Sequence, residues 1–366
     1  MRFTIGWPIL RVVCRVVLLG TPLIAIPGQA QTRAYVTNTS GTVSVINTST
    51  NTIVATISVG TFPSGVAITP DGTRAYVANI FNSISVINTA TNTVVATIPS
   101  EEFPTGLAIT PDGTRVYVVN QFLNNGVNTV SVIETKTNTI VATVPVGLGP
   151  IAIAITPDGA RAYVPNQQDF NVSVVDTASN TVFTTVPVSG GAGVAITPDG
   201  TRAYVTSPGA GTVSVIDIAT NNVVATMFLG ADQNPFGVAI TPDGARAYVA
   251  INSLNIVSVI DTVTNTVVEN IPVGPGPTGV AITPDGARAY VTNNDSNTVS
   301  VIKTACNTVT ATVGVGISPN AIAISEGIGP PTKKDQCKDG GWRIFTIPRK
   351  FRNQGSCVSF VNTGRH

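Results

Sequence analysis

Gly279-Val280-Ala281-Ile282-Thr283-Pro284-Asp285-Gly286-Ala287-Arg288-Ala289-Tyr290-Val291-Thr292-Asn293 reads as a strand, a tight turn and a second strand. Pro284 presets its φ at about −65° and Gly286 accepts a positive φ, the chemistry of a short hairpin connection. The Thr-Pro-Asp-Gly turn recurs from Thr69, Thr110, Thr156, Thr197, Thr241 and Thr283. An Arg follows each turn (Arg74, Arg115, Arg161, Arg202, Arg246, Arg288), placed to reach back to the turn Asp. Six such pairs repeated in step are expected to serve the turns and not a catalytic site.

Outward from the turn the repetition continues. Tyr-Val begins at Tyr35, Tyr76, Tyr117, Tyr163, Tyr204, Tyr248 and Tyr290, in steps of 41, 41, 46, 41, 44 and 42 residues. A Ser-Val-Ile or Ser-Val-Val run follows each, at Ser44, Ser85, Ser131, Ser173, Ser214, Ser258 and Ser300, and then an apolar run such as Ile53 to Ile57. Four short β-branched runs in about 42 residues match one propeller blade. The fold class is therefore all-β, a seven-bladed β-propeller of four-stranded blades over residues 33–326. The chain opens on a Tyr-Val strand, and its last first-strand run, Asn320 to Ser325, has no Tyr-Val strand after it. That run is expected to pair beside Tyr35, closing the ring within one blade and leaving no edge over.

Tyr35-Val36-Thr37-Asn38 and Tyr290-Val291-Thr292-Asn293 resemble the signature of the YVTN family of β-propeller repeat proteins. The resemblance implies a seven-bladed ring of the kind found in secreted and surface proteins of bacteria and archaea, and implies no reaction. Inside several blades the signature changes, at Ala78, Val119, Pro165, Thr206-Ser207 and Ala250.

Composition agrees. The chain of 366 residues is 43% hydrophobic and 11% charged, with 34 Gly and 25 Pro, too few charges for a disordered chain, a coiled coil or a helical bundle. Its one histidine is His366, the last residue, which removes imidazole bases and histidine-ligated zinc from the body of the chain. The net charge of +1 conceals a division: residues 33–326 hold 9 basic and 17 acidic side chains, residues 327–366 hold 8 basic and 2 acidic. An acidic body makes duplex nucleic acid an unsuitable partner.

Both ends differ from the repeat. Arg2, Arg11 and Arg15 precede an apolar run, Val16 to Ile26, then Pro27-Gly28-Gln29-Ala30, which reads as a secretory signal over residues 1–30. The run is short against the roughly 20 residues of a membrane span, so membrane contact is expected only if the signal stays uncleaved. Cys14 would leave with it. After a Gly-Pro linker, 327–336, comes Cys337-Lys338-Asp339-Gly340-Gly341-Trp342 and then Asn353-Gln354-Gly355-Ser356-Cys357. This small basic unit, 337–366, resembles a short Cys-Lys-Asx-Gly-Gly-Trp … Asn-Gln-Gly-x-Cys module of exported bacterial proteins. A Cys337–Cys357 disulfide would stabilise it by about 3 kcal/mol in an oxidising compartment; free thiols and a bridge to Cys306 are the alternatives. Too few further ligands surround these cysteines for a metal.

In a propeller the fourth-to-first and second-to-third connections share one face, and the Pro-Asp-Gly turns share the other with the third-to-fourth turns. The variable loops fall on the first face. The longest, Tyr117 to Ser131, supplies Gln121, Phe122 and Asn124-Asn125-Gly126, and around it stand Phe62, Phe81, Phe103 and Phe170, with Phe236 further round. These rings are read either as a contact patch for a ligand or partner, or as a plug of the channel mouth. Glu101 and Glu102 before Phe103, with Asp169 and Asp232, are the acids outside regular positions; a hard cation or acid–base chemistry would need them to converge, which sequence neighbours in a loop seldom do.

The expectation is a secreted, periplasmic or cell-surface propeller acting as a non-enzymatic scaffold. Its loop-rich face would hold an unidentified protein, glycan or envelope polymer, without a cofactor or metal, and as a monomer. The runner-up is a propeller enzyme or cofactor-binding protein of the lactone hydrolase or quinone-type oxidoreductase class.

Overall fold

The computed structural model describes residues 32–100, 103–122 and 127–325. The segments expected as signal and tail, with Cys14, Cys337 and Cys357, lie outside the described residues, as do Glu101, Glu102 and 124–126. Seven four-stranded antiparallel sheets form the ring. In blade 1 the order from the channel outward is Pro319–Ile324, Arg33–Asn38, Thr42–Asn47 and Thr52–Ser58, so the two ends of the repeat region meet in one sheet. Ala34 pairs with Ile324 and Tyr35 with Ala323, as the strand count requires.

Burial follows this order. Second strands such as Arg33–Asn38 and third strands such as Thr42–Asn47 are almost wholly buried, because each sheet is covered on both faces by its neighbours. Continuous Ala-Tyr-Val and Ser-Val-Ile runs, without polar alternation, are the sequence form of that environment. The core is divided into inter-blade layers. In one of them Tyr117, Val130 and Val132 of blade 3 pack on Ala162, Val164 and Val175 of blade 4.

The ring does leave edges. Each fourth strand is an outer edge, and each carries a β-bulge: Val45 pairs with Ala55 and Ile46 with Ile53, leaving Val54 extra. Val95, Val141, Phe183, Val224, Val268 and Thr310 are extra in the other blades. A bulge in every outer strand twists the open row of backbone groups and blocks edge-to-edge pairing. Closure thus protects only the inner edges.

The turn arginines also depart from expectation. The carboxylate of Asp71 accepts hydrogen bonds from Thr69 Oγ1 at 2.5 Å and from the Thr73 amide at 3.0 Å, both inside its own turn. Arg74 points instead to the neighbouring blade, where its Nη1 donates to the Thr135 carbonyl at 2.8 Å. Arg33, Arg115 and Arg202 make the same crossing to Thr89, Thr177 and Thr262, and Arg288 crosses the closure to Thr48. Arg161 stays within its blade, 3.6 Å from Asp176, with its guanidinium 3.9 Å over the Phe183 ring. A second clasp runs beside each crossing. Tyr76, Tyr117, Tyr163, Tyr204, Tyr248 and Tyr290 donate their hydroxyls to Asn138, Asn180, Asn221, Asn265, Asn307 and Asn51 of the next blade at 2.6–2.9 Å. Tyr35 reaches Asn92 at 3.4 Å. Those asparagines sit at positive φ in the third-to-fourth turns, so one residue both makes the turn and receives the neighbour.

Cys306 occupies the third-to-fourth turn of blade 7, its Sγ 3.1 Å from Thr308 Oγ1, where Thr91 meets Thr93 in blade 2.

Candidate functional site

The signature threonine works at the channel. Thr292 Oγ1 accepts the Gly279 amide of its own first strand at 2.7 Å and donates to the Asn320 carbonyl of the next blade at 2.7 Å. Thr37 and Thr206 bridge in the same way to Ser64 and Phe236. Each hydroxyl fills the place where the inner strands of neighbouring blades converge. The variant blades, with Ala78, Val119, Pro165 and Ala250, have no hydroxyl to place there, so the signature residue is a blade-to-blade link.

The loop-rich face is built on strained positions. The residue before the first-strand proline has positive φ in five blades, +71° at Gly149 and +67° at Gly276, but also +48° at Ser318, +52° at Phe62 and +46° at Phe103. In the second-to-third connections Gly41, Asn82, Gly211, Asn255 and Asn297 take positive φ, and in blade 4 the residue is Phe170, at +53°. Three phenylalanines therefore stand where other blades use Gly, Asn or, at Ser318, Ser, at about 1–2 kcal/mol of backbone strain each.

Of the six rings singled out from the sequence, the structure brings three together. Phe62 and Phe81 meet edge-on with centroids 5.6 Å apart, and Phe81 lies 6.3 Å from Phe103. Phe62 and Phe81 are 47% and 55% exposed, so this row across blades 2 and 3 is open to solvent. Phe170 is 64% exposed on blade 4, Phe122 is half-buried with its amide bonded to Asn128 Oδ1, and Phe236 lines the channel. Among the described residues no ring contact joins these three to the row. Asp169 is engaged by the Leu148 amide at 2.7 Å, and the Asp232 carbonyl receives Ser253.

Charge is sorted by face. The seven second-strand arginines, Lys136 and Lys303 all lie at the Pro-Asp-Gly end of the blades. Among the described residues the loop face carries no basic side chain, while Asp169, Asp232 and Asp295 are there. On the turn face, hydrogen bonds from Thr110 and Thr114 hold the Asp112 carboxyl below the usual carboxylate range, and Asp158, Asp199, Asp243 and Asp285 are lowered chiefly by Thr156, Thr197, Thr241 and Thr283. No group of three or more His, Cys, Asp or Glu gathers among the described residues.

Sequence reasoning missed the strained backbone under Phe62, Phe103 and Phe170. The signal was present in register: Phe62 and Phe103 align, immediately before Pro63 and Pro104, with Gly149-Pro150 and Gly276-Pro277.

A closed ring of seven four-stranded blades, with a loop face distinct from a turn face, defines a β-propeller. The chain belongs to the YNCE-like β-propeller family, whose model matches residues 5–327. No curated protein matches it. Among solved structures it is similar to Kuenenia stuttgartiensis hydrazine synthase, with 27% identity and a TM-score of 0.68, over 74% of this chain and 92% of that one. A functionally unknown protein from Desulfotomaculum acetoxidans shares 19% identity with a TM-score of 0.71, over 80% of this chain and 98% of that one. A candidate 6-phosphogluconolactonase from Bacteroides uniformis shares 18% identity with a TM-score of 0.68, over 81% of this chain and all of that one. The last two likenesses speak to the fold alone.

Proposed function

We propose that this propeller is a secreted or cell-surface binding scaffold without enzymatic activity, which holds a protein, glycan or envelope polymer on its loop-rich face. One observation supports the reading: Phe62, Phe81 and Phe103 form an exposed row, and two of them sit at positive φ where repeat-mates use Gly or Ser. Strain retained together with exposed aromatic surface points to contact and not to packing, since neither stabilises the free ring. The basic segment 327–366 acts as an accessory contact to anionic polymer.

The test is co-sedimentation of the purified protein with cell-envelope fractions. Phe62→Ser, Phe81→Ser and Phe103→Ser together should weaken binding about tenfold or more without lowering the melting midpoint. Removal of 327–366 should weaken it further, and more at low than at high salt. Binding unchanged in the triple variant would overturn the role of the face, and binding unchanged without the tail would overturn the role of the tail.

A further inference from the structure

Just inside the loop-rich face the channel holds a cavity of about 290 Å³, walled by the first strands of all seven blades. Its lining is not uniform. Thr278, Asn320, Ser64 and Thr105 come from blades 7, 1, 2 and 3, which are consecutive round the ring, and make one continuous polar arc. Ile151, Ala192 and Phe236 come from blades 4, 5 and 6 and make one apolar arc. No titratable side chain is in the lining.

Part of the polar arc keeps hydrogen-bonding capacity. Ser64 Oγ accepts a long bond from Asn320 Nδ2 at 3.4 Å and retains its own O–H, whereas Thr105 Oγ1 is buried out of reach of the cavity. Thr278 is committed to Thr292 and the Asn320 carbonyl. One layer deeper the residues are Gly or Ala, and a Cβ on Gly65 would stand 2.3 Å from the Thr105 carbonyl, so the first strands of neighbouring blades meet there backbone to backbone.

We propose that this cavity is a binding site for a neutral pyranose of monosaccharide size, with hydroxyls on Asn320 and Ser64 and its C–H face on Phe236. Size, charge and two-sidedness each narrow the choice. Small-molecule sites run from roughly 300 Å³ upward, so this one is at the small end. A charged ligand would be desolvated here without a counter-charge. A ring with hydroxyls along one side and a flat hydrocarbon face satisfies both arcs at once, and the aromatic face supplies the stacking platform. The site does not depend on the Phe62–Phe81–Phe103 row.

Saturation-transfer NMR and titration calorimetry on the full chain test it, with methyl β-D-glucopyranoside and methyl β-D-galactopyranoside as probes and cyclohexanol and gluconate as controls. At least one pyranoside should bind, with saturation strongest on the protons of one ring face. Phe236→Ala and Asn320→Leu should each weaken it about fivefold or more, the worth of one lost contact. Ser64→Ala carries the polar arm if Asn320→Leu does not fold. Gluconate and cyclohexanol should bind at least about tenfold more weakly. No saturation transfer to either pyranoside, equal binding of either control, or wild-type affinity in the variants would overturn the proposal.

Discussion

Replacing Tyr290 by Phe removes one oxygen from the contact that closes the ring. In the folded chain that hydroxyl donates to Asn51 Oδ1 at 2.6 Å, with the Thr48 carbonyl at 3.1 Å. Thr48 keeps the Arg288 guanidinium, so Asn51 Oδ1 is the group left without its partner. A net hydrogen bond is worth about 0.5–1.5 kcal/mol, and an orphaned part-buried acceptor adds to that, so Tyr290→Phe should cost about 1–2 kcal/mol. The equivalent hydroxyl of Tyr35 lies 3.4 Å from Asn92 Oδ1 and 3.5 Å from the Thr89 carbonyl. Those distances are beyond the usual 2.5–3.0 Å of an O–H···O bond, and Tyr35→Phe should cost under about 0.5 kcal/mol. Both changes leave the ring and its packing in place, so the difference isolates the bond. In thermal and urea unfolding, Tyr290→Phe should lower the midpoint by roughly 2–4 °C and Tyr35→Phe by no more than about 1 °C. A Tyr35→Phe loss equal to or greater than that of Tyr290→Phe would refute the reasoning.

Thr292→Val keeps shape but removes the hydroxyl between the Gly279 amide and the Asn320 carbonyl, and should cost about 1–3 kcal/mol in the same unfolding assays. Gly237→Ala drives a Cβ to 2.3 Å from the Thr278 carbonyl, a backbone atom that cannot turn aside, and should lower the yield of folded protein more than any Tyr→Phe change. Burial pushes all seven tyrosine hydroxyls up, those of Tyr163 and Tyr248 to about 12. Tyrosines of the unfolded chain ionise near pH 10, so the stability these burials contribute is complete below about pH 10 and is lost as pH rises through the folded values. Tyrosinate absorbance should therefore appear together with unfolding, and ionisation near pH 10 in a chain with native circular dichroism would contradict this.

The blades and their closure were legible because strand and turn chemistry act locally. Pro284 and Gly286 make their turn whatever the neighbouring blade does, and the missing Tyr-Val strand after Ser325 required pairing across the termini. Contacts between blades were not legible. Arg74 stands three residues from Asp71 in sequence yet bonds to Thr135, 61 residues away. Spacing within a repeat selects the near partner, whereas a ring places the next repeat just as close. The seven tyrosines and the turn asparagines recur in step, which was the available trace of the clasp, but equal recurrence also describes residues that never touch. At the loop face the phenylalanines were legible as outliers, while their grouping was not. Phe62, Phe81 and Phe103 meet because three connections from two blades rise side by side, and Phe236 is separated from them by its place on an inner strand.

Hydroxyl-radical footprinting of the protein, free and bound to cell-envelope fractions, tests the loop face most directly, since phenylalanine rings report their own exposure. Phe62 and Phe81, open in the free chain, should lose reactivity on binding together with Phe103, while Phe183, 59% exposed on the outer strand of blade 4, should not change. Protection of Phe183 with the row left reactive would place the contact on the outer rim and contradict the account.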